Sequence, residues 1–361
     1  MRFLFPADQL LDILAIHRVA GFNLPGQLHF DGGPLELLPG FTFLPLALVY
    51  LPLVDRKPGQ VEMGPPILGV HLVGGLELLA GLLVLPLAIM DDAQVAPENG
   101  VIGLVRRLQG PEQDQFQPDP EAIRRAITPK TKAIIVNSPS NPTGAVMERA
   151  RLQAIGQLAK EHGLLIVSDE MYDALVYPPA QHVSIIQTDP SLAERTIIVG
   201  GVSKTYSMTG WRIGWAVGPK PWIELMSNLQ SHSTSNATSI SQHAALAALT
   251  GPQDAVTAMR EEFRKRRDRL VAGLNALPGL RCAVPGGAFY AWCNVSALGQ
   301  PAEKTAAAWL EDALVAVVPG DPGFGDSHYV RFSFATSMQT IDQALERLGA
   351  WCQKRLAARA A

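Results

Sequence analysis

Apolar and polar positions alternate in a regular pattern from about residue 115 onward. Short apolar runs that end in turns predict strands at 132–137, 164–170, 196–204 and 212–218. Between the first two runs, the spacing of apolar positions predicts an amphipathic helix over 148–162. Strands that alternate with helices are typical of a mostly parallel sheet flanked by helices on both faces, so we expect an α/β fold.

The pattern changes near Thr250. A charged helix is predicted over 259–277 and a last helix over 338–357, and three β-type runs lie around 281–295, 315–318 and 328–335. This mixture of short strands and helices is typical of a smaller α+β domain that packs beside the main sheet. We therefore expect a domain boundary near residue 250.

The first hundred residues are less regular. Residues 34–90 are rich in Leu and Pro, and their apolar positions follow neither a helix period nor a strand period. The segment 63–90 is strongly apolar, but prolines and glycines interrupt it. Because a membrane-spanning helix needs about 20 consecutive apolar residues, we expect a buried helix of a large domain here rather than a membrane span.

Composition narrows the class of protein. The chain has 361 residues, of which 47% are apolar and 17% charged, enough to bury a large core and to exclude wholesale disorder. A net charge of −3 gives no electrostatic reason to expect nucleic acid or an anionic membrane as a partner. Three widely spaced cysteines favour a reduced compartment, here the cytoplasm, and the eight histidines lack metal-ligand spacing, so we expect no metal.

A lysine lies at the end of one of the predicted buried strands. Lys204 lies among small residues in the segment 201–214, and Arg212 follows eight positions later. A lysine that is partly withdrawn from water loses its proton more readily and can attack an aldehyde. An arginine nearby can neutralise a phosphate with its planar guanidinium group. The alternative is a surface lysine in a polar loop.

Two further turns contain polar residues at the ends of predicted strands. Asp169, in the segment 168–172, follows an apolar run, so its ionised carboxylate needs a partner unless it caps a helix. Asn141 lies in the turn 137–144, in which two prolines fix φ and Gly144 permits a positive φ. A proline follows Asn141 directly, which excludes N-glycosylation there.

Together with Arg331 in the segment YVRFSFA, these turns resemble one protein family. From about residue 115 to the end, the chain is similar to the class I aminotransferases of the fold-type-I pyridoxal-phosphate enzymes, and most similar to the bacterial aspartate aminotransferase branch. The resemblance implies a homodimer whose subunit has a large cofactor-binding domain at 35–250. It also implies a small discontinuous domain formed by 1–34 and 251–361.

The resemblance implies catalytic roles for three residues. Lys204 would bind pyridoxal 5′-phosphate as a Schiff base and later move the proton at the substrate Cα. Asp169 would pair with the pyridine nitrogen, and Tyr172 would donate a hydrogen bond to the phenolic oxygen of the cofactor. Asn141 would bind the same oxygen.

Other matched residues complete the predicted site. Ser203 and Arg212 would belong to the cofactor-binding set, with Arg212 at the phosphate. Arg331 would bind the substrate α-carboxylate as a bidentate partner, together with Asn141. Gly33, in the segment LHFDGGP, would touch the same carboxylate.

The N-terminal third departs from the family pattern. The segment HLVGGLELL resembles the phosphate-binding turn and assigns Gly74, Gly75 and Leu76 to the cofactor, but Leu76 stands where aspartate-selective relatives tend to carry a lysine. The loop 95–103 has no aromatic residue to stack on the cofactor. Tyr50 is the nearest candidate for the tyrosine that reaches the other subunit. Three explanations fit this region. The substrate pocket has diverged, the sequence is a damaged reading of an ordinary gene, or the enzyme has lost its activity.

The predicted function is a ping-pong aminotransferase. Aspartate is the favoured amino donor, an aromatic or neutral amino acid is the alternative, and a 2-oxo acid such as 2-oxoglutarate is the acceptor. The loop 231–236 resembles the family loop near the phosphate of the neighbouring subunit, or is an ordinary polar loop. Two other functions stay open: a pyridoxal-phosphate-dependent cysteine-conjugate β-lyase, and a non-catalytic homologue with a degenerate N-terminal third.

Overall fold

A computed structural model describes residues 41–46 and 110–360, with side-chain surroundings for 110–355. The helices are α1 Pro120–Ala126, α2 Arg149–Glu161, α3 Val202–Thr205, α4 Lys220–Ser233, α5 Ser239–Thr250, α6 Asp254–Asn275, α7 Ala302–Asp312 and α8 Met338–Ala360. The strands are β1 Phe41–Leu46, β2 Ala133–Asn137, β3 Leu165–Asp169, β4 Thr196–Gly201, β5 Gly214–Pro219, β6 Arg281–Cys282, β7 Tyr290–Asn294, β8 Val318–Pro319 and β9 Tyr329–Ser333.

The first sheet has five strands in the order β1-β5-β4-β3-β2. Strands β2, β3 and β4 pair in parallel, whereas β5 is antiparallel to both β4 and β1, so four of the five strands point the same way. Helix α2 packs on one face through Leu152, Ile155 and Leu158, and α4 packs on the other through Ile223 and Met226. The predicted α/β fold with helices on both faces is confirmed.

Three predicted elements differ from the observed ones at their ends. The strand predicted over 196–204 ends at Gly201, because a hydrogen bond from the Tyr206 N–H to the Val202 carbonyl closes a helical turn that contains Lys204. The first half of the predicted loop 231–236 belongs to α4, which ends at Ser233. Helix α6 begins at Asp254 rather than 259, where an acidic side chain favours the helix N-terminus.

The second sheet is antiparallel and has the strand order β6-β7-β9-β8. Its apolar side chains form one buried cluster with helices α6, α7 and α8. Three residues from the segment after β3 belong to the same cluster, namely Tyr172, Leu175 and Tyr177. The end of β3 is therefore packed directly against the second sheet. The division into domains at residue 250, between α5 and α6, stays a prediction.

The sequence also carries predictions about membrane spans, cysteines and metal ions. Among residues 41–46 and 110–360, no helix is both long and apolar enough to cross a membrane. The apolar segment 63–90 lies outside the described residues, so the helix predicted there stays a prediction. All three cysteines are buried and free. Within the described part of the chain, no cluster of His, Cys, Asp or Glu side chains could hold a metal ion.

Candidate functional site

The carboxyl ends of β2 and β3 bring two polar side chains together. Asn137 and Asp169 are register partners, and the Asn137 amide donates a hydrogen bond of 2.9 Å to the Asp169 carboxylate. The Met171 N–H donates a second bond of 3.2 Å. Burial raises the pKa of Asp169, and the nearby Glu170 raises it further, against the two hydrogen bonds. Among the described residues, the hydrogen bonds to Asp169 thus come from neutral donors, and its charge lacks a cationic partner.

Lys204 lies in the helical turn α3, at the end of β4. Glycines let β4 and β5 approach closely just before this turn, since a Cβ on Gly214 would lie 2.7 Å from the Gly200 carbonyl oxygen. The Lys204 side chain is half-buried, and its ammonium lies 5.9 Å from the centre of the Phe289 ring. Burial lowers the pKa of Lys204, and the positive charges of Arg212 and Arg331 lower it further. The amine is therefore neutral, and nucleophilic, more often than a surface lysine.

The loop after Lys204 holds Arg212 beside it. Arg212 has a φ of 51°, in the left-handed region, and its guanidinium donates a bond of 3.0 Å to the Thr209 carbonyl. The Thr209 hydroxyl in turn donates to the carbonyl of the buried Ser203, at 3.2 Å. These bonds fix the arginine and the turn that contains Lys204 in one loop.

Arg331 on β9 joins the second sheet to the first. Its guanidinium donates a bond of 2.6 Å to the Asn141 side-chain oxygen, and the Asn141 N–H donates a bond of 2.8 Å to the Asn137 side-chain oxygen. The guanidinium carbon lies 4.5 Å from the centre of the Tyr290 ring and 5.0 Å from that of Phe324. Aromatic rings on a guanidinium orient it and leave its N–H groups available for an anion.

Tyr172 forms a buried pair with Tyr290. Their hydroxyl oxygens lie 2.9 Å apart, and 4% of Tyr172 and 7% of Tyr290 are exposed. Burial, together with Tyr290, raises the pKa of Tyr172 above its usual range. Tyr172 therefore keeps its proton at neutral pH and can donate a hydrogen bond.

The structure brings together Lys204, Asp169, Tyr172, Asn141 and Arg331, which the sequence analysis selected from segments far apart in the chain. Sequence reasoning missed three residues that touch this group: Asn137, Tyr290 and Phe324. Asn137 lies within the turn 137–144, so its place at the end of a strand was a usable signal. The two aromatic residues give no such signal, because their contacts depend on packing between the sheets.

Several predicted site residues lie outside the described residues. These are Gly33 for the substrate carboxylate and Gly74, Gly75 and Leu76 for the cofactor, as well as Tyr50 and the loop 95–103. Their assignments stay predictions.

Behind Asp169, a second cluster of polar side chains surrounds Glu170. The Glu170 carboxylate accepts hydrogen bonds from the hydroxyls of Ser168 at 2.8 Å and Ser184 at 2.7 Å, and lies 3.1 Å from the His182 Nε2. Burial alone would lower the pKa of His182, but the hydrogen bond and charge of Glu170 outweigh it and raise the pKa. Protonated His182 therefore neutralises a carboxylate next to the site.

We expect His182→Asn to destabilise the protein in a pH-dependent way. Removing one partner of a mostly buried pair costs about 3 kcal/mol of unfolding free energy. The raised pKa of His182 means that this contribution is fully present below the ordinary histidine pKa and is lost as pH rises through the folded-state value. Urea unfolding at pH 6 and pH 9 should show the larger loss at pH 6. The exposed His243→Asn is the control, and equal losses at both pH values would contradict the expectation.

The chain is similar to known proteins over about two thirds of its length. The family model described as aminotransferase class I and II matches residues 103–348. The aspartate aminotransferase of Geobacillus stearothermophilus is 47% identical over 253 residues, which are 69% of this chain and 64% of the relative. The aspartate/prephenate aminotransferase of Thermus thermophilus is 46% identical over 248 residues, 68% of this chain and 63% of the relative.

A solved structure gives the same result for the fold. The aromatic aminotransferase of Pyrococcus horikoshii superposes with a TM-score of 0.66 at 38% identity, over 68% of this chain and 66% of that one. The chain thus spans slightly less than two thirds of the length of these relatives.

Proposed function

Because this chain belongs to the aminotransferase class I and II family, we propose that it transfers an amino group from an L-amino acid to a 2-oxo acid with pyridoxal 5′-phosphate. The observation that carries the proposal is the grouping of Lys204, whose pKa is lowered, with Asp169 and Arg331 at adjoining sheet edges. Such a grouping offers an amine for an aldehyde, an anion for a protonated ring and a cation for a carboxylate.

The residues present fit the cofactor. Asp169 has a carboxylate that is withdrawn from water and hydrogen-bonded by neutral donors only, among the described residues, and a protonated pyridine nitrogen supplies the missing positive charge. Arg212 offers a guanidinium to the phosphate, beside the buried Ser203. Tyr172 and Asn141 offer their polar groups to the phenolic oxygen.

When it is bound, the cofactor supplies an aldehyde that captures the amino group and a ring that takes up the electrons released at the substrate Cα. Lys204 Nζ, in its neutral form, would remove the proton from the substrate Cα and return it to the carbon of the cofactor that had carried the aldehyde. Asp169 keeps the ring nitrogen protonated. Arg331 orients the substrate by its α-carboxylate, so that the Cα–H bond faces Lys204.

We favour aspartate as the amino donor and 2-oxoglutarate as the acceptor. The names of the relatives support aspartate as the donor, and the name of the Pyrococcus structure supports an aromatic amino acid as the alternative. Leu76 stands where aspartate-selective relatives tend to carry a lysine, which weakens the argument for a dicarboxylate substrate. Neutral amino acids therefore remain alternative donors. We further infer a homodimer in the cytoplasm.

The test begins with the absorption spectrum of the purified protein and added pyridoxal phosphate. We expect a near-visible band, and borohydride should fix the cofactor on the peptide that contains Lys204. Aspartate with 2-oxoglutarate should then yield oxaloacetate and glutamate. Release of pyruvate and ammonia from a cysteine conjugate without any 2-oxo acid would indicate a β-lyase instead. Absence of any band would favour the non-catalytic alternative and overturn the proposal.

A further inference from the structure

Tyr290 contacts two members of the candidate site at once. Its hydroxyl is hydrogen-bonded to the hydroxyl of Tyr172, and its ring lies under the guanidinium of Arg331. It is the first residue of β7, in the second sheet, whereas Tyr172 follows β3 in the first. Neither composition nor motif spacing assigns it a role, and it is buried.

The direction of the hydroxyl bond follows from what Tyr172 has to do. On the proposed function, Tyr172 donates its only proton to the phenolic oxygen of the cofactor. Its oxygen is then left as an acceptor, and Tyr290 is the hydroxyl within reach to donate to it. Each hydroxyl in such a series polarises the next, so donation by Tyr290 makes Tyr172 a stronger donor.

We propose that Tyr290 is a positioning residue that strengthens the hydrogen bond from Tyr172 to the cofactor and orients Arg331 through its ring. The inference rests on the proposed function and deepens it. The charged groups that act on the pair are Asp169 from the end of β3 and Arg331 from β9, and Lys204 from α3 lies over the ring of the neighbouring Phe289. Tyr290 is thus one contact between the cofactor-facing and carboxylate-facing halves of the site, beside the hydrogen bond from Arg331 to Asn141.

The two contacts can be separated by substitution. Tyr290→Phe removes the hydroxyl and keeps the ring under Arg331, so it should weaken Tyr172 as a donor with little effect on substrate binding. Tyr290→Leu removes both contacts. Tyr177 offers a matched control, because it is also buried and its hydroxyl donates to the Ala288 carbonyl rather than to Tyr172.

The experiment is a pH titration of the near-visible band of the cofactor-loaded protein. A stronger bond to the phenolic oxygen lowers the basicity of the nitrogen that links Lys204 to the cofactor. Loss of one hydrogen bond should therefore raise the spectral pKa by about half a unit to one unit in Tyr290→Phe. Tyr177→Phe should leave the spectral pKa unchanged. The KM for the amino acid should stay within about twofold in Tyr290→Phe and rise about fivefold in Tyr290→Leu.

A double variant tests whether the Tyr290 hydroxyl acts through Tyr172. Tyr172→Phe removes the donor itself, so adding Tyr290→Phe should shift the spectral pKa no further. Additive shifts, or an unchanged pKa in Tyr290→Phe, would overturn the inference while the wild-type band leaves the proposed function standing. A wild-type protein without the band would overturn the proposed function, and the inference with it.

Discussion

Lys204→Ala should abolish transamination, with kcat reduced on the order of 10⁴-fold or more, because one change removes both the covalent attachment of the cofactor and the base at Cα. The near-visible band should be missing from the variant even with excess pyridoxal phosphate. The protein should nevertheless fold, since the side chain is half-buried and its removal relieves repulsion from Arg212 and Arg331. Steady-state kinetics, the absorption spectrum and circular dichroism measure these three outcomes.

The matched control is Lys220→Ala, which removes a lysine at the start of α4. Lys220 lies 3.7 Å from Glu224 in an exposed pair on the helix surface, and such pairs contribute little to stability. Its kinetics should equal those of the wild type. If Lys204→Ala kept more than about one hundredth of the wild-type rate, another general base would be supplying the proton transfer and the role of Lys204 would be wrong.

Asp169→Asn should lower the activity without lowering the stability of the protein. Losing the anion that pairs with the protonated ring should lower kcat by about 10²- to 10³-fold, the usual effect of removing one preorganised electrostatic partner. The cofactor-free protein should be at least as stable as the wild type, because burial raises the pKa of Asp169 and an amide carries no charge to bury. We expect this gain to exceed the cost of the one hydrogen bond, from Asn137 or Met171, that the amide NH2 group cannot accept. Kinetics and urea unfolding of the cofactor-free protein measure the two effects.

The difference in unfolding free energy between Asp169→Asn and the wild type should depend on pH. In the wild-type cofactor-free protein the carboxyl of Asp169 becomes protonated as pH falls, because its pKa is raised, and the cost of burying its charge disappears. The stability advantage of Asp169→Asn should therefore shrink at low pH.

Asp189→Asn, at the exposed pair with Lys160, should show the opposite pattern. The hydrogen bond from Lys160 and those from Ser191 hold the pKa of Asp189 at about 2, so the wild type should be the more stable protein at neutral pH. Activity should not change in this variant.

Reduced stability of the Asp169→Asn protein at neutral pH would contradict the assignment of an unpaired charge.

The parts of the site that were predictable lie at the ends of strands. Asp169 and Lys204 each follow an apolar run that must be buried, so the sequence pattern predicts that they lie at a sheet edge. The helical turn around Lys204 was not predictable, because a four-residue helix leaves no periodicity. The resemblance, rather than any local pattern, pointed to Arg331, since a single arginine in a strand has no signature of its own.

The remaining features depend on contacts between distant segments. Tyr172 and Tyr290 are 118 positions apart, and Asn141 and Arg331 are 190 apart. A side-chain pair of this kind is formed by the packing of one sheet on the other, and no single segment encodes it. Arg331 and Asn141 were both predicted for the substrate, whereas their bond to each other was not.

The apolar cluster shared by the two sheets determines which parts of the protein unfold together. Tyr172, Leu175 and Tyr177 lie in the core formed by the second sheet and helices α6, α7 and α8. Opening of that core exposes the segment that follows β3 and releases the hydroxyl of Tyr172, so local unfolding of the C-terminal part cannot spare the reaction centre. Native-state hydrogen exchange should find the amides of this segment and those of β7 opening as one cooperative unit. On the proposed function, activity should then be lost in the same step in which the C-terminal core unfolds.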